Sequence, residues 1–322
     1  MQLNDPAFAI AEQLVGSAGG LGIEHRVIGG ARILDCGIVA PGSTLAGIGM
    51  AHVALAGLGE VQLDAAADHA DLWPDCRWPV VCVASRRPVA ACLAAQYAGW
   101  KVQHGKFFAL ASGPLRAAIG REEIFETIGL RERPDRAVGL LETSRLPPEE
   151  VCRQLAADAG VSPDRLLLLV ARTASEAGTL QVVARSLETA LHKLADLRFD
   201  LRRIRAGRGR APLPPVPAGD DITAIGRTND AILYGAEVVL DVTGDDRSLE
   251  AVGATMVSAA SADHGTPFAT LFRRAGGDFY ALDPALFAPA VVKLVNVETG
   301  RTHRFGRLEP DLVAESFTAP GA

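Results

Sequence analysis

The chain has 322 residues, a formal net charge of −6 and 48% apolar side chains with few aromatics. That length carries two domains or one large one, with a substantial core, and the acidic balance excludes bulk binding to nucleic acid or to an anionic membrane surface. No run reaches the ~18 apolar residues of a membrane span and no basic-then-apolar leader opens the chain, so a cytoplasmic protein is expected.

In chain order, Asp5–Leu14 reads as a short amphipathic helix stopped by Gly16, Gly19 and Gly20. Arg32–Val39 alternates as a strand and leads into the turn Pro41-Gly42-Ser43. Residues 46–59 are Gly-rich and apolar. A dinucleotide fingerprint needs a preceding strand, a third glycine in step and an acidic partner further on, so this segment reads instead as a helix packed closely through small residues. Val80–Ala84 is a buried strand, and Val89–Ala98 a helix started by Pro88 and stopped by Gly99. The five cysteines form no close CxxC pair, which predicts reduced, mostly buried thiols, and no His/Cys/Asp/Glu group has metal-ligand spacing.

Lys106–Ser112 reads as a strand breaking into Gly113-Pro114 and then a helix. Ser112 and the N–H groups around Gly113 suit either a plain cap or a site for an anion or carbonyl. Ala137–Glu142 is another strand, followed by a helix from Leu146 to Gly160. The apolar run Leu166–Val170 has the length of a strand buried on both faces. After a Thr/Ser-rich turn, 173–179, Leu180, Ala184, Leu187, Leu191 and Leu194 make one apolar helical stripe. Gln181, Arg185, Glu188 and His192 form a polar row beside it, in which Arg185 and Glu188 can touch. On spacing alone such a pair is most often a solvated surface salt bridge.

Arg205–Asp221 breaks the texture, reading as a Gly/Arg turn followed by a Pro-rich segment that cannot be helical. Its arginines lack an interleaved aromatic platform, so a solvated helix face ending in a loop is expected rather than a nucleic-acid site. Thr228, Asn229 and Asp230 are compact hydrogen-bonding groups that suit either a helix cap or the donor–acceptor edge of a heterocycle. Val291–Val297 is a last strand, turning at Glu298-Thr299-Gly300. The alternation of strands and helices predicts a layered α/β fold, with a boundary drawn near residue 165 (1–165 and 166–322) and a C-terminal strand that could return to the first part.

Several phrases, in the right order, resemble the methenyltetrahydromethanopterin cyclohydrolase family. They are Ala91-Cys92-Leu93 with Gln96 and Ala98-Gly99-Trp100, the block Lys106 to Ala117 around Ser112-Gly113-Pro114, and Thr173 to Ala190. Ile225 to Gly235 and Ser261 to Ala290 complete them, and a Gly-x-Gly-Arg-x-Pro segment ends at Pro212. The resemblance covers about Arg32 to Phe317. It implies a two-domain α/β chain with the substrate in a cleft between the domains, typically trimeric. The implied reaction is the reversible opening of an N5,N10-methenyl pterin to its N5-formyl form. It implies Glu188 as the base for water and Arg185 as the group that orients it, with the carboxylate standing between guanidinium and cationic substrate. Ser112, Gly113, Thr173, Ser175, Thr228, Asn229 and Asp230 are the implied substrate contacts. No cofactor or metal is expected, since the pterin carrier is itself the substrate, and no nucleic-acid or membrane partner. Arg172 and His264 depart from the family's usual Pro and Tyr, which leaves a non-catalytic pterin-binding paralogue as the alternative.

Overall fold

In the computed structural model the described residues are 1–73, 76–98 and 100–319; Gly99, expected as a helix stop, lies outside them. They form the expected α/β architecture, as two compact units, each around a six-stranded sheet. Among them no helix is long and apolar enough to cross a membrane.

The first unit comprises Met1–Gly59 and Val89–Gln181. Its strands are β1 (Glu24–Ile28), β2 (Ala31–Asp35), β5 (Trp100–His104), β6 (Phe107–Ser112), β7 (Ala137–Glu142) and β8 (Leu166–Ala171). They lie in the order β1-β2-β8-β7-β6-β5, with β2, β8 and β7 parallel and the flanking pairs antiparallel. The apolar run of β8 is now explained. Leu167 and Leu169 enter one core, while Leu166, Leu168 and Val170 enter the other, so a central strand covered on both faces shows no alternation. Each such leucine contributes about 1.5–3 kcal/mol by burial. Helices α1 (Asn4–Gly16) and α2 (Thr44–Ala54) pack on the first face and α3 (Glu149–Ala159) on the second. The glycines of α2 serve close packing, as expected: a Cβ on Gly47 would meet Ala177 and Leu180 at about 3 Å. Residues 89–96 wind as π-helix rather than α-helix, with Tyr97 N–H donating to Cys92 O at 2.8 Å.

The second unit comprises Glu60–Pro88 and Val182–Ala322. Its strands are β3 (Glu60–Asp64), β4 (Val80–Ser85), β9 (Ile204–Pro212), β10 (Glu237–Val242), β11 (Val291–Asn296) and β12 (Thr302–Gly306), in the order β12-β11-β10-β9-β4-β3. Only β10 and β11 run parallel. The compact units therefore do not follow a single cut near residue 165. Strand β8 is hydrogen-bonded inside the first sheet, the β3–β4 hairpin belongs to the second, and the C-terminal strands stay with it.

The largest departure from expectation is β9, read from sequence as a Gly/Arg turn. Gly207 and Gly209 alternate with Arg208 and Arg210, which is a period of two. The arginines take one face of the sheet, and the glycines take the face on which helix α5 (Ser186–Asp196) lies. A Cβ on Gly209 would fall 2.5 Å from Ser186 Oγ, and one on Gly207 would fall 2.7 Å from Leu187 Cδ1. The glycines mark close approach of a helix, not a bend.

Candidate functional site

The 166–197 stretch was expected to carry one helix after its strand. It carries two: α4 (Glu176–Val183), inside which the boundary between the units falls after Gln181, and α5. Ser175 starts α4, its Oγ accepting from Gly178 N–H at 3.0 Å and donating to Arg172 O at 2.8 Å. The break comes at Ala184-Arg185, where Arg185 takes φ −94°, ψ 6° and its carbonyl accepts both the N–H and the hydroxyl of Thr189. Leu180, Ala184, Leu187, Leu191 and Leu194 are all fully buried, as the stripe predicted.

The helix break sets the geometry of the pair. Arg185 Nε donates to Glu188 Oε2 at 3.4 Å, and the two side chains are only 10% and 6% exposed. That burial removes the surface-salt-bridge reading. Glu188 Oε1 is buried and has no hydrogen-bond partner among the described residues. An unpaired buried carboxylate oxygen is costly, and the chemical use of such an atom is to accept a proton or a hydrogen bond from a ligand or water. Further along α5, buried Lys193 donates from Nζ to Pro284 O at 2.8 Å, and burial pushes its pKa below the usual lysine range. Asp283 next to it accepts from Ser261 Oγ at 2.6 Å, which holds its carboxyl below the usual carboxylate range. Sequence reasoning did not single out Lys193; its signal was a lysine on the helix of an apolar stripe in a chain with four lysines.

The other predicted residues are placed more plainly. Thr228, Asn229 and Asp230 lie within helix α6 (Asp221–Leu233), not at its start, so they cap nothing in it. Thr228 Oγ1 and Asn229 Nδ2 bond back to Ala224 O and Ile225 O one turn earlier. Asp230 is buried; Oδ1 accepts from Phe268 N–H at 2.9 Å, and Oδ2 pairs with Ser316 Oγ at 2.6 Å. It thereby ties α6 to helices α7 (Phe268–Arg274) and α8 (Pro310–Thr318), and burial pushes its pKa up to about 7. His264, the departure from the family pattern, stacks edge-on to Tyr234 and faces Glu309 at 3.3 Å.

In the first unit, Thr173 and Ser175 sit just past the C-terminal end of β8, where ligands of parallel sheets bind. Thr173 Oγ1 donates to Glu142 Oε1 at the end of β7. Beside them, buried Asp35 accepts the N–H groups of Gly37, Ile38, Val39 and Ala40, which ends β2 at Asp35 and fixes the following loop. Neither Asp35 nor Glu142 was picked from sequence, although each is a carboxylate closing an apolar strand. Ser112 and Gly113 are not brought to this edge. Ser112 pairs opposite Leu140, level with Leu169 and two residues short of the Glu142–Ala171 pair at the strand ends, so it lies about 7 Å back from that edge at ~3.3 Å per residue. Gly113, at φ 89°, turns the chain against Gly139 and Leu140, and Pro114 O accepts from buried Asn4 Nδ2 at 2.9 Å.

The chain matches the family model described as "Cyclohydrolase (MCH)" over residues 2–317. It is 42% identical over 317 residues to the methenyltetrahydromethanopterin cyclohydrolase of Methylobacillus flagellatus, covering 98% of this chain and 94% of the relative. The enzyme of the same name from Rhodopirellula baltica is 45% identical over 312 residues, with 95% and 92% covered. That of Methanococcoides burtonii is 35% identical over 320 residues, with 98% of each chain covered. With agreement of that identity over nearly its whole length, the chain belongs to the methenyltetrahydromethanopterin cyclohydrolase family.

Proposed function

We propose that this chain catalyses the reversible hydrolysis of an N5,N10-methenyl-tetrahydromethanopterin-type substrate to the N5-formyl compound, with Glu188 as the base and Arg185 as its orienting partner. The methenyl carbon lies in an amidinium and is already electrophilic. The protein therefore needs to place one water and take one proton from it. Water adds to the carbon as Glu188 removes a proton. The tetrahedral adduct then collapses with cleavage of the bond to N10, which takes a proton in turn. The observation that carries this reading is the buried pair: Arg185 occupies Oε2, and Oε1 has no donor among the described residues.

The proposal includes substrate contacts from Ser175, Thr173 and the Thr228–Asp230 segment, a homotrimer in the cytoplasm, and a reaction that uses neither metal nor redox cofactor. Glu188→Gln keeps the shape of the side chain and removes the base. Turnover, followed by the loss of methenyl absorbance, is expected to fall about 10²–10⁴-fold with substrate affinity far less affected. Ring opening by Glu188→Gln at the wild-type rate would refute the assignment.

A further inference from the structure

We propose that Asp64, His69 and Cys82 form a binding site for a divalent transition metal of the zinc type, separate from the Arg185–Glu188 pair. The three side chains converge where β3 turns back into β4. Asp64 ends β3, His69 ends a single turn of 3₁₀-helix just beyond it, and Cys82 lies on β4 on the same face as Asp64. Their donor atoms all lie within 4.8 Å of one another. His69 Nε2 stands 3.1 Å from Asp64 Oδ2, Cys82 Sγ 3.3 Å from the same oxygen, and Cys82 Sγ 3.6 Å from His69 Nε2.

Those three separations are close to the edges of a tetrahedron. With Zn–N and Zn–O at about 2.0 Å and Zn–S at about 2.3 Å, tetrahedral angles put N and O about 3.3 Å apart, and sulfur about 3.5 Å from either. One triangular face of a coordination tetrahedron is thus already built. Sulfur, imidazole and carboxylate together are the ligand set zinc accepts. The partly exposed Asp64 gives an ion access, while His69 is buried.

A neighbour sets the terms of loading. Arg210 Nη1 lies 3.2 Å from His69 Nδ1, and a guanidinium only donates. Without an ion, Nδ1 therefore accepts from Arg210, while Nε2–H and the Cys82 thiol both donate to Asp64. Loading removes the thiol proton to solvent and transfers the imidazole proton from Nε2 to Nδ1. Arg210 must then release His69. Glu237, which already accepts from its Nη2 at 2.7 Å, and Asp71, at 3.7 Å, are placed to keep it. An ion held here would tie the β3–β4 connection together across the edge of the second sheet, and the arginine acts as a built-in competitor that weakens binding.

The test is site-resolved alkylation of the full chain, stripped with a chelator and then incubated with or without zinc, and read by peptide mass spectrometry. Zinc is expected to slow labelling of Cys82 at least about tenfold, as thiolate ligation does, and to leave Cys76 unchanged. Cobalt(II) in place of zinc should give one equivalent of a tetrahedral visible spectrum with a thiolate charge-transfer band, lost in Cys82→Ser. Equal labelling of Cys82 with and without zinc would overturn the proposal, as would a cobalt spectrum that persists in Cys82→Ser.

Discussion

Gly209→Ala tests whether the position of α5 controls the reaction. An added Cβ would lie 2.5 Å from Ser186 Oγ and 3.0 Å from Leu187 N. Ordinary contact is about 3.4 Å or more, so something must give by roughly 0.4–0.9 Å. Ser186 is fully buried and the second contact is backbone, so turning one hydroxyl does not relieve both. The start of α5, with Glu188 in its first turn, has to move away from β9. Overpacking of this kind costs about 1–3 kcal/mol, and a displacement approaching 1 Å at a reacting group costs up to about 10²-fold in rate. The expected outcome is a lower melting temperature together with a kcat reduced about 10–10²-fold, measured well below that temperature from the decay of methenyl absorbance. Gly139→Ala is the control: its Cβ would meet Leu115 side-chain atoms at 2.8 and 2.9 Å in the first unit, whereas α5 belongs to the second. It should cost stability without the same loss of kcat. If Gly209→Ala were destabilised yet turned over at the wild-type rate, α5 would not be positioning the reaction.

Arg185→Lys keeps the charge but loses the planar fork, and a severe fall in kcat with little change in melting temperature is expected; unchanged kcat would return the pair to a structural role. Asp230 should make stability depend on pH. Its folded pKa is raised from 3.8 to about 7, so the protonated form's contribution is full below about pH 4 and is lost as the pH rises to about 7, at ~1.4 kcal/mol per pK unit. Asp230→Asn keeps the bond from Phe268 N–H and replaces the other by one donated from its Nδ2 to Ser316 Oγ, without the charge. It should flatten that slope and melt higher at pH 8, whereas parallel pH profiles for variant and wild type would contradict the reading. Exhaustive chelation should leave turnover intact, even where it lowers the melting temperature; activity lost to a chelator and restored by zinc would place a metal in the reaction.

Much of the fold was legible because burial writes itself into periodicity. The β8 run, the α2 glycines and the five-member stripe from Leu180 to Leu194 each have one physical cause, and each appears where expected. The errors have causes too. Arg-Gly alternation in β9 resembles a turn by composition, since nothing local announces that a helix rests on those glycines. The break at Arg185 leaves no Gly or Pro behind, because residues 184 and 185 are ordinary helix formers whose turn is stabilised by Thr189. At the site, spacing brought Arg185 and Glu188 together, but only the fold could bury them. Ser112-Gly113 carried a family phrase and a capping signal, yet pairing register places Ser112 back along the sheet from the Glu142–Ala171 edge. Asp64, His69 and Cys82 follow no ligand spacing, since a strand pairing and a turn, not a sequence motif, gather them.

The interleaving of the two units has a consequence for how the chain is made. Strand β2, already paired with β1, finds its inner neighbour only when β8 arrives, with Arg32 opposite Leu167, and β4, already paired with β3, waits for β9, with Val80 opposite Pro212. During synthesis the β3–β4 hairpin of the second sheet emerges while the first sheet is still missing its central strand. Neither unit can finish before the other has begun, and both hold open strand edges on the ribosome. Contacts so distant along the chain close slowly and expose unpaired edges meanwhile. A fragment ending at residue 165 would contain all of β1, β2, β5, β6 and β7 but lack the strand that joins β2 to β7. Such a fragment is expected to aggregate rather than fold, and dependence on chaperones should be greatest in the interval before Leu166–Ala171 is released.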